Sequence, residues 1–193
     1  LATGASIWLD SAIRRDPLEL SSDTAYTAYD PSRGAWSNWQ KLKMPDDPKF
    51  HVARAGCTQR VDLPNGDILL PIYFHAKPSK GKATVHYAAV VRCTFDGTTL
   101  RYQEHGNELA VDVNAKRNRT GLYEPSLVSF NGKYLLTLRA DNGAYVASSS
   151  DGLHFSNLKP WQFDDGTLLG SYNTQQHWIA HSDALYLVYT RRG

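Results

Sequence analysis

Three stretches of this 193-residue chain gather polar and aromatic side chains directly ahead of an apolar run: Arg54 to Gln59, the pair Tyr123 and Glu124, and "YNTQQH" from Tyr172 to His177. The segments that follow end in polar residues again, at Tyr73 and His75, at Arg139, and at Arg191 and Arg192. Arginine pairs a carboxylate through two parallel hydrogen bonds. A glutamine amide both donates to and accepts from hydroxyls, and a tyrosine ring stacks on an apolar ring face. The mixture suits a hydroxyl-rich, anionic ligand, with Arg54, Gln59, Tyr73, His75, Arg139, Gln175, Gln176 and Arg191 as its expected contacts. Plainer roles exist for some members. Glu124 before Pro125 can cap a neighbouring segment, and His177 beside Trp178 can be a packed core histidine. Arg139 at the end of an apolar strand is harder to explain that way, because a buried arginine needs a partner; Asp141 is the nearest in sequence. His177 and His181 stand four apart on a strand, about 13 Å, too far to share one metal.

Such groups need elements that bring them together, and the chain repeats the arrangement. "CTQRVDLPNGDILLPIY" from Cys57, "YEPSLVSFNGKYLLTLR" from Tyr123 and "TQQHWIAHSDALYLVYT" from Thr174 each read as strand, tight turn, strand. The turns fall at Asn65-Gly66, Asn131-Gly132 and Ser182 to Ala184. Asn-Gly between apolar runs is a strong hairpin signal, since both residues tolerate positive φ. A second set of turns, at Asp30, Asp96 and Asp151, advances with the first at a step of roughly 50 to 65 residues, the length of a four-stranded propeller blade. The spacing predicts an all-β chain, a β-propeller of four-stranded antiparallel blades over residues 1–193. About three and a half blades fit at this step, whereas closed rings hold four to eight. The expectation is one incomplete propeller domain, with six or seven blades in the full ring and the others supplied by a longer chain or by other chains. Only the first twenty residues offer a helical pattern. Cys57, opening an innermost strand, and Cys93, closing the third, would lie about 9 to 10 Å apart, so both are expected as free thiols.

Composition narrows the partners. Twenty-one basic and nineteen acidic residues give a formal charge of +2, with no long like-charge run. Neither a nucleic acid nor a membrane surface is expected as partner, and no apolar run approaches the roughly 20 residues that span a bilayer. "KRNR" from Lys116 reads as a solvated loop, and the sequon at Asn118 to Thr120 is too short a match to decide anything. No cofactor motif and no metal-ligand spacing is present.

"SSSDGLHFS" from Ser148 to Ser156 resembles the Asp-box of the sialidase superfamily, S-x-D-x-G-x-x-W, one residue shorter between Asp151 and Gly152. "LPNGDILLPIYF" and "EPSLVSFNGKYLLTLRADNG" are similar to inner strands of the same propellers, and the likeness runs from about Tyr26 onward. The Asp-box (BNR repeat) is a structural turn. The resemblance implies a secreted, extracellular or periplasmic, sialidase-like glycoside hydrolase taking an acidic oligosaccharide or polysaccharide, with Glu124, His177 and Tyr123 as catalytic groups and Arg54, Arg139 and Arg191 as an arginine cluster. The F/Y-R-I-P motif of sialidases is absent, and Tyr123 and Glu124 are adjacent where the sialidase Tyr–Glu pair comes from separate strands. Hydrolysis by Glu124 asks for a second carboxylate, Asp141 or Asp62. Related propellers include polysaccharide lyases that use His, Tyr and Arg. In that alternative Arg139 or Arg191 neutralises a uronate carboxylate and His177 takes the C5 proton. A third alternative is a propeller that binds sugar without cleaving it.

Overall fold

Asn131 and Gly132 both sit at positive φ, +48° and +73°, the backbone that a two-residue hairpin between twisted strands demands. They join β11 (Leu122–Phe130) to β12 (Lys133–Ala140), which β13 (Gly143–Ser149) and β14 (Lys159–Pro160) extend into a four-stranded antiparallel sheet. The computed structural model describes residues 1–7, 22–80, 84–113, 120–170 and 174–191. Among these the chain is all-β, with several antiparallel sheets and no α-helix. The helical pattern read at the start is replaced over its first residues by a strand, β1 (Ala2–Ile7), which pairs antiparallel with β2 (Ser22–Thr27); the rest of that pattern lies outside the described residues. Pairing across a sheet edge outweighs weak helix propensity.

The two short strands β3 (Tyr29–Asp30) and β4 (Ala35–Trp36) form a hairpin, and β5 (Gln40–Lys41) pairs with β2. A second meander follows: β6 (Val52–Arg54) and β7 (Val61–Asp62) both lie along β8 (Ile68–His75), which pairs with β9 (Tyr87–Phe95) and, through it, β10 (Leu100–His105). The chain closes with the pair β15 (His177–Ala180) and β16 (Leu185–Val188). The turns read at Asn65-Gly66, Asn131-Gly132 and Ser182 to Ala184 each join two paired strands. The Asp30, Asp96 and Asp151 turns are built alike. Each carboxylate accepts the N–H of the residue two positions on, at 2.9, 3.0 and 2.8 Å.

The strand expected to start at Cys57 is broken instead. β6 ends opposite Tyr73 and β7 begins opposite Leu69, so Pro71 faces the gap between them. Proline has no N–H to offer a ladder on that side, and residues 55–60 leave the sheet there. Cys57 sits in this excursion at φ +55° and is exposed, Cys93 is buried in β9, and both thiols are free.

β8 reads as an unbroken apolar run because both its faces are dry; all eight residues are buried. Ile68, Leu70, Ile72 and Phe74 pack with Tyr26, Leu42, Phe50 and Val91 on one side. Leu69, with Ala88 and Val90 of β9, meets Leu122, Leu127, Leu136 and Leu138 of the next sheet on the other. Full burial contributes roughly 1.5–3 kcal/mol per leucine, so this inter-sheet layer fixes how the two meanders stack. No helix among the described residues is long and apolar enough to cross a membrane.

Candidate functional site

Two cross-strand pairs face one another where these sheets meet. Arg54 of β6 is opposite Tyr73 of β8, and Tyr123 of β11 is opposite Arg139 of β12. The Tyr73 and Tyr123 rings approach to 5.7 Å between centroids, and the Arg139 guanidinium lies 5.0 Å over the Tyr123 ring, within cation–π range.

Between them stands His86, one residue ahead of β9. Its ring is 4.3 Å from Tyr123 and 4.6 Å from His75. Its backbone is one link between the sheets. The His86 N–H donates to the Thr120 carbonyl and its own carbonyl accepts from Leu122. Gly121 lies between these partners at φ +87°, and a Cβ there would overlap the His86 carbonyl. Only glycine lets the strands close this far.

The His86 side chain has a defined tautomer. Nδ1 lies 3.0 Å from the Thr120 carbonyl oxygen, which can only accept, so Nδ1 carries the proton and Nε2 a lone pair. His75 does the same against the Ala76 carbonyl at 2.7 Å. Burial, with the neighbouring His75 and Arg54 charges, lowers the His86 pKa to about 4. Burial above all lowers that of His75 as well, with Arg54 and His51 adding to it. Both imidazoles are neutral bases at neutral pH. Burial raises the phenols of Tyr73 and Tyr123, against the arginine charges beside them, so both keep their protons.

Glu124 is placed by a bulge. The β11–β12 register shifts between Tyr123 and Ser126, and Glu124 takes φ +45°, an uncommon backbone for a side chain ahead of proline. The bulge aims its carboxylate at Arg139, with Oε2 3.3 Å from Nε. Burial raises the Glu124 pKa, while Arg139, His177 and a hydrogen bond from Gln175 pull it back. His177 Nδ1 lies 3.5 Å from Ser126 Oγ on this flank. Asp141, next after β12, accepts the Thr120 hydroxyl at 2.7 Å.

Eight of the expected residues converge here: Arg54, Tyr73, His75, Tyr123, Glu124, Arg139, Gln175 and His177. Gln59 lies close by but is committed elsewhere; both ends of its amide are bonded to the Trp178 backbone. Gln176 is buried with neither amide atom hydrogen-bonded. Arg191 stands apart, its guanidinium 5.8 Å over the Phe163 ring and beside Gly170. Asp62 pairs with Arg60 at 2.7 Å on an exposed edge. Tyr172, Arg192 and the "KRNR" run lie outside the described residues. His86 is the functional candidate that sequence reading missed. It too precedes an apolar run, "YAAVV", but at the strand after the Asn65-Gly66 hairpin and outside the repeated strand–turn–strand segments. No known family model and no curated protein sequence matches the chain.

Proposed function

We propose that the protein is a carbohydrate-active enzyme of β-propeller architecture that cleaves an acidic glycan outside the cytoplasm, and that it does so by β-elimination. Two stacked antiparallel meanders and the start of a third support the architecture. The observation that carries the chemistry is the pair of groups around one phenol ring: His86 at 4.3 Å from Tyr123, and Arg139 over its face at 5.0 Å.

Arg139, over the Tyr123 ring, and Arg54, the cross-strand partner of Tyr73, receive the uronate carboxylate and draw charge from C5, which acidifies its hydrogen. Nε2 of His86 takes that proton, the role first expected of His177. The C5 electron pair forms the C4=C5 double bond as the C4–O bond breaks. The Tyr123 phenol gives its proton to the departing oxygen. No water is consumed.

One observation favours hydrolysis instead: burial biases Glu124 toward its protonated form, the state of a general acid. Incubation with polygalacturonate, alginate and a sialylated oligosaccharide separates these readings by product mass. Fragments summing to the substrate, with the ultraviolet absorbance of a new conjugated double bond, support elimination. Fragments summing to substrate plus water support hydrolysis at Glu124, and binding without turnover leaves a sugar-binding module.

A further inference from the structure

A groove of about 500 Å³ opens at the other end of β9 from His86, between the β3–β4 hairpin and the β9–β10 turn. At roughly 3.3 Å per residue the length of β9 separates it from the His86–Tyr123 cluster by about 30 Å. Tyr29 and Trp36, cross-strand partners, form one wall with ring centroids 5.3 Å apart and planes at 53°. They are packed against each other as a tilted aromatic pair.

These rings are 46% and 57% exposed, and Trp39, three residues on, is 55% exposed. Nothing in their own sheet requires that exposure, and the hairpin bearing them is rigid. Asp30 accepts both the N–H and the hydroxyl of Ser32, at 2.9 and 2.6 Å. At the hairpin base the Ser37 N–H donates to the Ala28 carbonyl at 2.8 Å and the Ala28 N–H donates to Ser37 Oγ at 3.1 Å. The groove's two charges answer one another, with Arg33 Nε 3.5 Å from Asp30, so an occupant needs no net charge. Size selects among occupants. The two half-exposed rings that line it, Tyr29 and Trp36, offer on the order of 200 Å², well short of the ~800 Å² per partner of a stable protein interface. A small ligand with an apolar ring face and a hydroxyl rim fits: the faces go to the rings, the hydroxyls to Arg33 and the carbonyls around it.

We propose that this groove binds pyranose rings of a glycan chain, as a site separate from the His86–Tyr123 cluster. It stands on the groove's own chemistry and not on the elimination reading. Electrophoresis of the intact protein through native gels containing polygalacturonate, alginate or xylan tests it. Retardation by at least one polymer is expected, weakened about tenfold by Trp36→Ala and by Tyr29→Ala and largely kept by Trp36→Phe. Thermal melts of the exposed-site variants should match the parent. Migration unaffected by all three polymers overturns the proposal, as does retardation that Trp36→Ala leaves intact. A dimer in sedimentation that Trp36→Ala dissolves also overturns it, by assigning the groove to a second copy. Retention without cleavage leaves this site standing while the elimination reading fails.

Discussion

Gln59 holds one residue of β15 by both of its backbone groups: its Nε2 donates to the Trp178 carbonyl at 3.0 Å and its Oε1 accepts the Trp178 N–H at 2.7 Å. A side chain here does what a neighbouring strand would do. The Gln59 main chain is joined to β11 by its carbonyl, which accepts from Leu127 at 2.8 Å, and the Trp178 indole donates to Ser126 at 3.2 Å. One residue therefore ties three sheets beside Glu124 and His177.

Replacing Gln59 with alanine leaves these partly buried backbone groups without their partners. A loss of roughly 1–3 kcal/mol is expected, read as a lower urea midpoint. Gln59→Glu should be nearly as harmful, because a carboxylate cannot donate to the Trp178 carbonyl.

His86→Gln and Tyr123→Phe each remove one proton-transfer group and keep most of the volume. Turnover of a uronate polymer should fall by 10²–10⁴ in each, a typical worth of general acid–base catalysis. Glu124→Gln should keep measurable turnover. Collapse of activity in Glu124→Gln, with His86→Gln active, would move the chemistry to hydrolysis.

The histidines make stability pH-dependent with a definite sign. The unfolded His86 takes a proton as pH falls through 6.5, whereas the folded one stays neutral to about 4. Its share of stability is complete above 6.5 and is lost between 6.5 and about 4, on the order of 3 kcal/mol. His75 shifts in the same direction and steepens the slope. Urea midpoints at pH 7.5 and 5 should differ less in His86→Gln than in the parent.

Gly121→Ala tests the closeness of the two sheets. The added methyl meets the His86 carbonyl at a backbone that already disfavours side chains, so the strand must move and carry the imidazole with it. Activity should drop at least tenfold, with a lower melting temperature. Gly132→Ala, where a Cβ meets nothing within 4 Å, should cost stability through its positive φ and leave turnover per folded molecule unchanged.

Local chemistry made much of this visible in the chain alone. Asn-Gly and Asp turns dictate their own backbone, and period-2 patterns dictate faces, so the hairpins and the approach of Tyr73, Tyr123 and Arg139 could be read from spacing. Three things could not. Pro71 splits the strand opposite it, which a strand pattern does not announce on its partner. Gln59 and Gln175 carry the same amide, yet only tertiary contacts commit one to the Trp178 backbone and turn the other to Glu124. His86 depends on Gly121, 35 positions later in the chain, and no local signal joins them.

β8 lies between two apolar layers and presents no face to water. Its amides from Leu69 to Phe74, Pro71 having none, should be the last to exchange with deuterium, opening only with the whole molecule. Tyr73 and His75 ride on this slowest segment, while Tyr123 and Arg139 come from the sheet docked against it. The cluster is therefore created by docking and belongs to neither sheet alone. On the elimination reading, a chain with every strand formed but the sheets apart has no assembled site, so turnover would report the last stage of assembly.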